Sequence, residues 1–253
     1  MVRACAIIPH FDHVEQFAGM LEDLVSEGLP LIVVDDASPE RAFRRLEELL
    51  DRAAPGTLLL RHTENQGKGG AVMSGLKAAY DAGYSHALQI DADGQHSSAD
   101  IPRFLSLASR YPEAIICGKP VFDDSVSKLR YYARYITLFL SWLETLSTVI
   151  EDPMCGFRLY PLSQVVPVVE YGKPGKRMAF DPEVLVRCAW DNIELYFIPV
   201  DVTYPEDGSS HFRYIRDNLE ISWMHTVLIV GMLIRLPRLL ARGRPGQKGR
   251  TIE

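Results

Sequence analysis

The chain has 253 residues, room for one large α/β domain or two small ones, and its 47% hydrophobic and 24% charged residues suit a globular core. A formal net charge of −6 argues against general nucleic-acid binding, which needs a basic surface. Four scattered cysteines, Cys5, Cys117, Cys155 and Cys188, have no C-x-x-C spacing. They argue against a zinc cluster or a disulfide framework and predict small buried thiols in a reducing compartment.

The opening MVRACAIIP is too short for a signal peptide and reads as a first strand over Ala4–Ile8. Further short apolar runs follow at Leu31–Val34, Leu58–Leu60, Ala87–Ile90 and Ala114–Cys117, separated by stretches of helical spacing such as Phe17, Met20, Leu21 and Leu24. Near-continuous apolar strands alternating with helices predict a mainly parallel sheet covered on both faces. Ser38-Pro39 is expected to cap the helix that begins RAFRRLEELL. Residues 125–150 read as one long aromatic-rich helix, followed by a polar turn at Asp152–Arg158 and a loop at Tyr171–Arg177. FDPEVLVRCAW reads as helix and IELYFIPVDVTYP as extended chain. Ile221–Leu240 is apolar but broken by His225, Arg235 and Pro237, so it is not expected to cross a membrane.

The polar clusters fall at strand ends, where open α/β sheets bind their ligands. Asp91-Ala92-Asp93 follows the fourth strand, and side chains two apart on a strand point the same way. Two carboxylates that close call for a cation such as Mg²⁺ or Mn²⁺ bridging phosphate oxygens, with Gln95 and His96 as further donors; the alternative is an Asx-turn that braces the loop. Asp35 and Asp36 follow the second strand and suit a nucleobase edge or ribose hydroxyls, or else a helix cap. Gly67-Lys68-Gly69-Gly70 lacks the P-loop spacing, yet its glycines and Lys68 at a helix N-terminus favour an anion; the alternative is a tight turn with a solvated lysine.

In order along the chain, AIIPHFD, VVDDASPE, NQGKGGAVMSGL, QIDADGQH, DPMCGFRLYP and FDPEVLVR resemble the family 2 inverting glycosyltransferases of the GT-A fold, in the dolichyl-phosphate mannosyltransferase-like branch. YPEDGSSHFRYIRDNLEISWMHT resembles bacterial members. The resemblance implies a Rossmann-like α/β GT-A domain over 1–212, an amphipathic C-terminal helical segment over 213–242 and a basic flexible tail over 243–253. It implies a nucleotide-sugar donor held by the backbone at Pro9 and by Asp35 and Asp36, to which the glycine loop adds Lys68 as a donor contact. Asp91 and Asp93 would grip a divalent cation and the donor diphosphate, with Gln95 as third ligand. The acid pair that serves as base in many relatives is not clearly present; FDPEV offers Asp181 and Glu183. An anionic lipid phosphate needs no base, whereas a hydroxyl acceptor would need one, from Asp152 or Asp181.

Arg130 and Arg134 lie four apart on one helix face and could clamp an acceptor phosphate. Arg158 is the better candidate, because a charge inside an otherwise apolar turn usually has a partner, and His211 with Arg213 could form a lid. The apolar C-terminal stretch carries six basic residues from Arg235 to Arg250 and no acid, which suits the surface of an anionic membrane. Expected, then, is a peripheral enzyme on the cytoplasmic, inner face of a membrane, acting on a lipid acceptor. Two other readings are a phosphohydrolase with a D-x-D aspartyl nucleophile and a non-catalytic nucleotide-binding scaffold.

Overall fold

The structure, a computed structural model, describes residues 2–121, 128–202 and 214–241, with side chains from Arg134 onward in the fifth helix and from Arg216 onward in the last. The first half alternates as its periodicity predicts: β1 (Ala4–His10), α1 (Val14–Ser26), β2 (Leu31–Asp35), α2 (Glu40–Ala53), β3 (Leu58–Arg61), α3 (Lys68–Asp81) and β4 (His86–Gln89). Then come α4 (Ile101–Arg110), β5 (Ile115–Val121), α5 (Lys128–Thr145), β6 (Arg158–Pro161) and α6 (Leu162–Gly172). The described chain closes with α7 (Phe180–Trp190), β7 (Leu195–Asp201) and α8 (Tyr214–Ala241).

Among the described residues, seven strands form one sheet in the order β3-β2-β1-β4-β6-β5-β7. All neighbours are parallel except β6, which runs antiparallel to both β4 and β5. Strand side chains alternate, so each apolar run feeds two cores. In β1, Cys5 and Ile7 join the core under α3, α6 and α7, while Ala6 and Ile8 join the one under α1, α2 and α4. The parallel strands bring the carboxyl ends of β1, β2 and β4 to one edge, which is where the sequence concentrates its acids. All four cysteines are buried and free.

Four expectations change. Ser38 does not cap α2, whose N-cap is Pro39; instead the Ser38 hydroxyl accepts from the Asp12 N–H, and its own N–H donates to Asp35. The strand β6 was not expected, because RLYP opens on a charge and ends on proline. Residues 146–150 lie outside α5, and the loop expected from Tyr171 begins only after Gly172, where Lys173 turns left-handed at φ 44°. The expected C-terminal helix is present as α8, and His225, Arg235 and Pro237, which break its apolar run, lie within it. His225 pairs with Glu144 of α5, Arg235 lies 4.5 Å over the Trp190 ring, and Pro237 sits inside the helix. By length and composition alone, Arg216–Ala241 is long and apolar enough to cross a membrane.

Candidate active site

The glycine loop before α3 is built around Asp36. Its Oδ1 accepts from the Gln66 N–H at 2.9 Å, its Oδ2 accepts from the Gly67 N–H at 2.6 Å, and His62 Nδ1 lies 2.7 Å from Oδ1. Gly67 stands at φ 87°, a left-handed conformation that suits glycine, and a Cβ there would meet Arg177 Cγ at 2.5 Å. Asp35 is fully buried, contacts His10 Nδ1 at 3.1 Å and accepts from the Ser38 N–H at 3.1 Å. Burial alone would raise its carboxyl, but the bonds from His10 and Ser38 hold it below the usual carboxylate range. Both acids thus have partners inside the protein, and the half-buried Pro9 lies beside them at the end of β1.

Asp91 and Asp93 follow β4 but lie outside it, with Asp93 in a turn, so strand alternation does not set their directions. Asp93 Oδ1 accepts from the Gln95 N–H at 3.0 Å, so the bracing Asx-turn is realised at this residue. Asp91 is different. Its Oδ2 takes the Lys68 ammonium at 2.7 Å, while its Oδ1 is buried with no hydrogen-bond partner among the described residues. Burial, and then the charge of Asp91, push the Asp93 carboxyl up to about 6. An orphaned carboxylate oxygen next to a carboxyl that resists ionisation is a seat that a cation would satisfy. Among the described residues no group of three or more His, Cys, Asp or Glu could hold a metal. Two carboxylates suffice for Mg²⁺ or Mn²⁺ where diphosphate oxygens complete the shell, so the donor set fits. His96 stacks on Phe157 with ring centroids 5.1 Å apart, its Nδ1 also without a partner.

Behind this seat lies a charged network only part of which the sequence announced. Lys68 Nζ also lies 2.9 Å from Asp181 Oδ2, at the first turn of α7. Gln89 Nε2 donates to Asp181 Oδ1 at 3.2 Å, and the Tyr160 hydroxyl donates to Gln89 Oε1 at 3.1 Å. Burial opposes the charge on Asp181, but Lys68 and then Arg158 win and hold its carboxyl below the usual range. The same acids outweigh burial at Lys68 and raise its ammonium above the usual lysine range. Gln89 and Tyr160 were missed, although a glutamine inside the apolar run ALQI was a usable signal.

The acceptor set divides. Arg158 is fully buried; its Nη1 donates to the Asp181 carbonyl at 2.7 Å and its Nη2 to the Pro153 carbonyl at 2.8 Å. A guanidinium sealed in the core has no surface for an acceptor, so Arg158 leaves that set and becomes the support of α7. Arg134 forms an ion pair with Asp152, whose Oδ1 also accepts from the Met154 and Cys155 N–H groups at 2.9 and 2.8 Å. Arg130 lies on α5 with its side chain outside the described residues, as are His211 and Arg213.

Comparison with known proteins agrees with this architecture. Residues 5–164 match the model described as "Glycosyl transferase family 2". An undecaprenyl-phosphate mannosyltransferase from Micrococcus luteus is 34% identical over 83% of this chain and 87% of its own length. A UDP-N-acetylglucosamine–dolichyl-phosphate N-acetylglucosaminyltransferase from Methanococcus voltae is 22% identical over 90% of this chain and 96% of its own. The fold is shared with a mannosyltransferase from Pyrobaculum calidifontis, solved in complex with GDP-Man and Mn²⁺. The match has a TM-score of 0.60 and 16% identity, and covers 92% of this chain and 64% of that one. Phosphohydrolase chemistry is not favoured, since the D-x-D follows the fourth strand and Asp91 is held by Lys68. With the match spanning β1 to β6 and the acids at the strand ends, the chain is a glycosyltransferase and belongs to glycosyl transferase family 2.

Proposed function

We propose that this glycosyltransferase moves a sugar from a nucleotide-sugar donor to a lipid phosphate at a membrane surface, with Asp91 and Asp93 holding a divalent cation beside the donor diphosphate. The observation that carries the reading is the buried, unpartnered Asp91 Oδ1 next to Asp93 at the end of β4. Pro9, Asp35 and Asp36 frame the nucleotide at the ends of β1 and β2, and Gln95 completes the cation's protein ligands. When bound, the cation, Mn²⁺ or Mg²⁺, offsets the negative charge that collects on the departing diphosphate.

The reaction is a single displacement. An acceptor oxygen bonds to the anomeric carbon as the carbon–oxygen bond to the diphosphate breaks, which inverts that centre. Both carboxylates expected as bases are engaged, Asp152 with Arg134 and Asp181 with Lys68. An acid held below its usual range by a lysine is a weak proton acceptor. A lipid phosphate suits this site because its oxygen is already anionic and no proton need be removed. The names of the Micrococcus and Methanococcus relatives, both of which specify a lipid phosphate, support the same choice. Arg130 and Arg134 on α5 serve the acceptor phosphate, and His211 with Arg213 close over the donor. The exposed apolar faces of α5 and α8 rest on the inner, anionic face of the membrane.

The test is a thermal-shift screen of UDP-, GDP- and dTDP-sugars with and without Mn²⁺, since a ligand bound only by the folded state must stabilise it. Transfer of the best donor to a polyprenyl phosphate then follows. The expected result is metal-dependent transfer, abolished in Asp93→Ala. Donor binding without turnover over a panel of lipid phosphates would instead support the scaffold reading.

A further inference from the structure

Lys68 is placed against its own expectation. A lysine at a helix N-terminus in a glycine loop was read as a hand for an anionic ligand, yet its ammonium lies between two of the protein's own carboxylates, 2.7 Å from Asp91 Oδ2 and 2.9 Å from Asp181 Oδ2. The fold makes room for this. A Cβ on Gly156 would lie 2.5 Å from Lys68 Nζ, 2.8 Å from Gln89 Nε2 and 3.1 Å from Asp91 Oδ2, so a side chain there would drive the ammonium out. Asp181 in turn is anchored by Gln89 and by the buried Arg158, which fixes the far side of the bridge.

The arrangement has two consequences for Asp91. One of its oxygens is occupied, so only Oδ1 is free to ligate, and the direction from which a cation is held is set. A positive charge also stands within hydrogen-bonding distance of the ligand, and like charges that close repel strongly where water is scarce. We propose that Lys68 is a positioning residue that closes the D-x-D seat to a free divalent cation, so that the cation is held firmly only together with the negative charge of a nucleoside diphosphate. Three carboxylates, Asp91, Asp93 and Asp181, face two fixed cations, Lys68 and Arg158. That leaves too little net charge to hold a divalent ion alone, and the diphosphate supplies the remainder. On this reading Asp91 and Asp93 would hold the cation firmly only while a donor diphosphate is bound beside them.

This inference rests on the donor site proposed above, and its test separates the two. Mn²⁺ binding is titrated by the loss of the free-ion electron paramagnetic resonance signal, first with Mn²⁺ alone and then with UDP or GDP added. In the wild type, the diphosphate is expected to tighten Mn²⁺ binding at least about tenfold. Lys68→Met is expected to bind Mn²⁺ alone at least about tenfold more tightly than the wild type, with a smaller gain from the diphosphate. Lys68→Arg keeps the charge and stays close to wild type. Should Lys68→Met not fold, Gly156→Ala displaces the ammonium without removing a charge and should shift Mn²⁺ affinity the same way. Unchanged or weaker binding of Mn²⁺ alone in folded Lys68→Met overturns the inference and leaves the donor site standing. Failure of the wild type to bind either diphosphate with Mn²⁺ would instead remove the donor reading.

Discussion

At the scale of single residues, the site holds carboxylates in environments that the fold alone would not choose. Asp93 is the clearest case, with burial and Asp91 lifting its carboxyl from 3.8 to about 6. The sign of the consequence follows from which form the fold prefers. A carboxyl raised on folding favours its protonated form, so its contribution is fully present below the ordinary carboxylate range and is lost as pH rises through about 6. Asp93→Asn, neutral at every pH and still able to accept the Gln95 N–H, should therefore stabilise the metal-free protein at pH 7.5. Lifting the carboxyl from 3.8 to about 6 corresponds to about 2–3 kcal/mol at most, or several degrees of melting temperature. The gain should vanish below about pH 4, where both proteins are neutral at this position. Melting curves of the two proteins across that range check it, and transfer activity should be lost throughout. Arg158 runs the other way. Arg158→Leu strands two buried carbonyls and takes one cation from Asp181, which should cost about 3–5 kcal/mol by urea denaturation.

At the scale of elements, what was legible from the sequence was whatever a local pattern encodes. The parallel strands showed themselves as apolar runs, whereas the D-x-D, expected as the alternating end of a strand, lies beyond Gln89 with Asp93 in a turn, where period-two alternation no longer applies. β6 was not legible, since nothing within Arg158–Pro161 marks a strand; its pairing partners lie far off in sequence, in β4 and β5. Arg158 was read as a charge awaiting a ligand because one of its two carbonyl partners, Asp181, is 23 residues away and the other, Pro153, meets it only through the fold of the turn between them. Lys68 was expected to face an anionic ligand, and its contacts in the structure are the carboxylates of Asp91 and Asp181, 23 and 113 residues away in sequence. The docking of α8 shows how such distant contacts outweigh propensity. Gly231 faces Trp190, and a Cβ there would lie 2.7 Å from the indole, whose Nε1 donates to the Glu144 carbonyl at 2.8 Å. Alanine should favour the helix by about 1 kcal/mol, yet Gly231→Ala should lose about 1–2 kcal/mol net because the pinned indole cannot retreat. In α1, a Cβ at Gly19 meets nothing within 4 Å, so Gly19→Ala should gain up to about 1 kcal/mol. Opposite signs from one substitution in two helices, measured by chemical denaturation, would isolate the packing contribution.

At the scale of the whole molecule, the asymmetry of α8 links the fold to where the enzyme works. Met224, Leu228 and Met232 are buried in the core shared with α7, while Leu219, Trp223, Leu233, Ile234 and Leu240 are each more than half exposed. Neighbouring α5 adds exposed Tyr135, Ile136 and Phe139. So many large apolar side chains on two adjacent helices exceed the scattered exposure of a water-facing surface, and the membrane contact proposed above would cover them. Ile234 is 74% exposed, so Ile234→Glu should leave stability within about 0.5 kcal/mol of wild type. Against a bilayer the same change removes about 1.5–3 kcal/mol of apolar burial and adds a charge that must stay hydrated. Co-sedimentation with phosphatidylglycerol-containing vesicles should therefore fall at least about tenfold in affinity. Raising salt from 0.1 to 1 M shortens the screening length from about 10 to about 3 Å. It should thus weaken the wild type only to the extent that basic residues such as the exposed Arg238 reach lipid head groups. If Ile234→Glu pellets with vesicles as fully as the wild type, the bare face of α8 is not the membrane contact. A lipid-phosphate acceptor would then have to reach Asp91 and Asp93 by way of another surface.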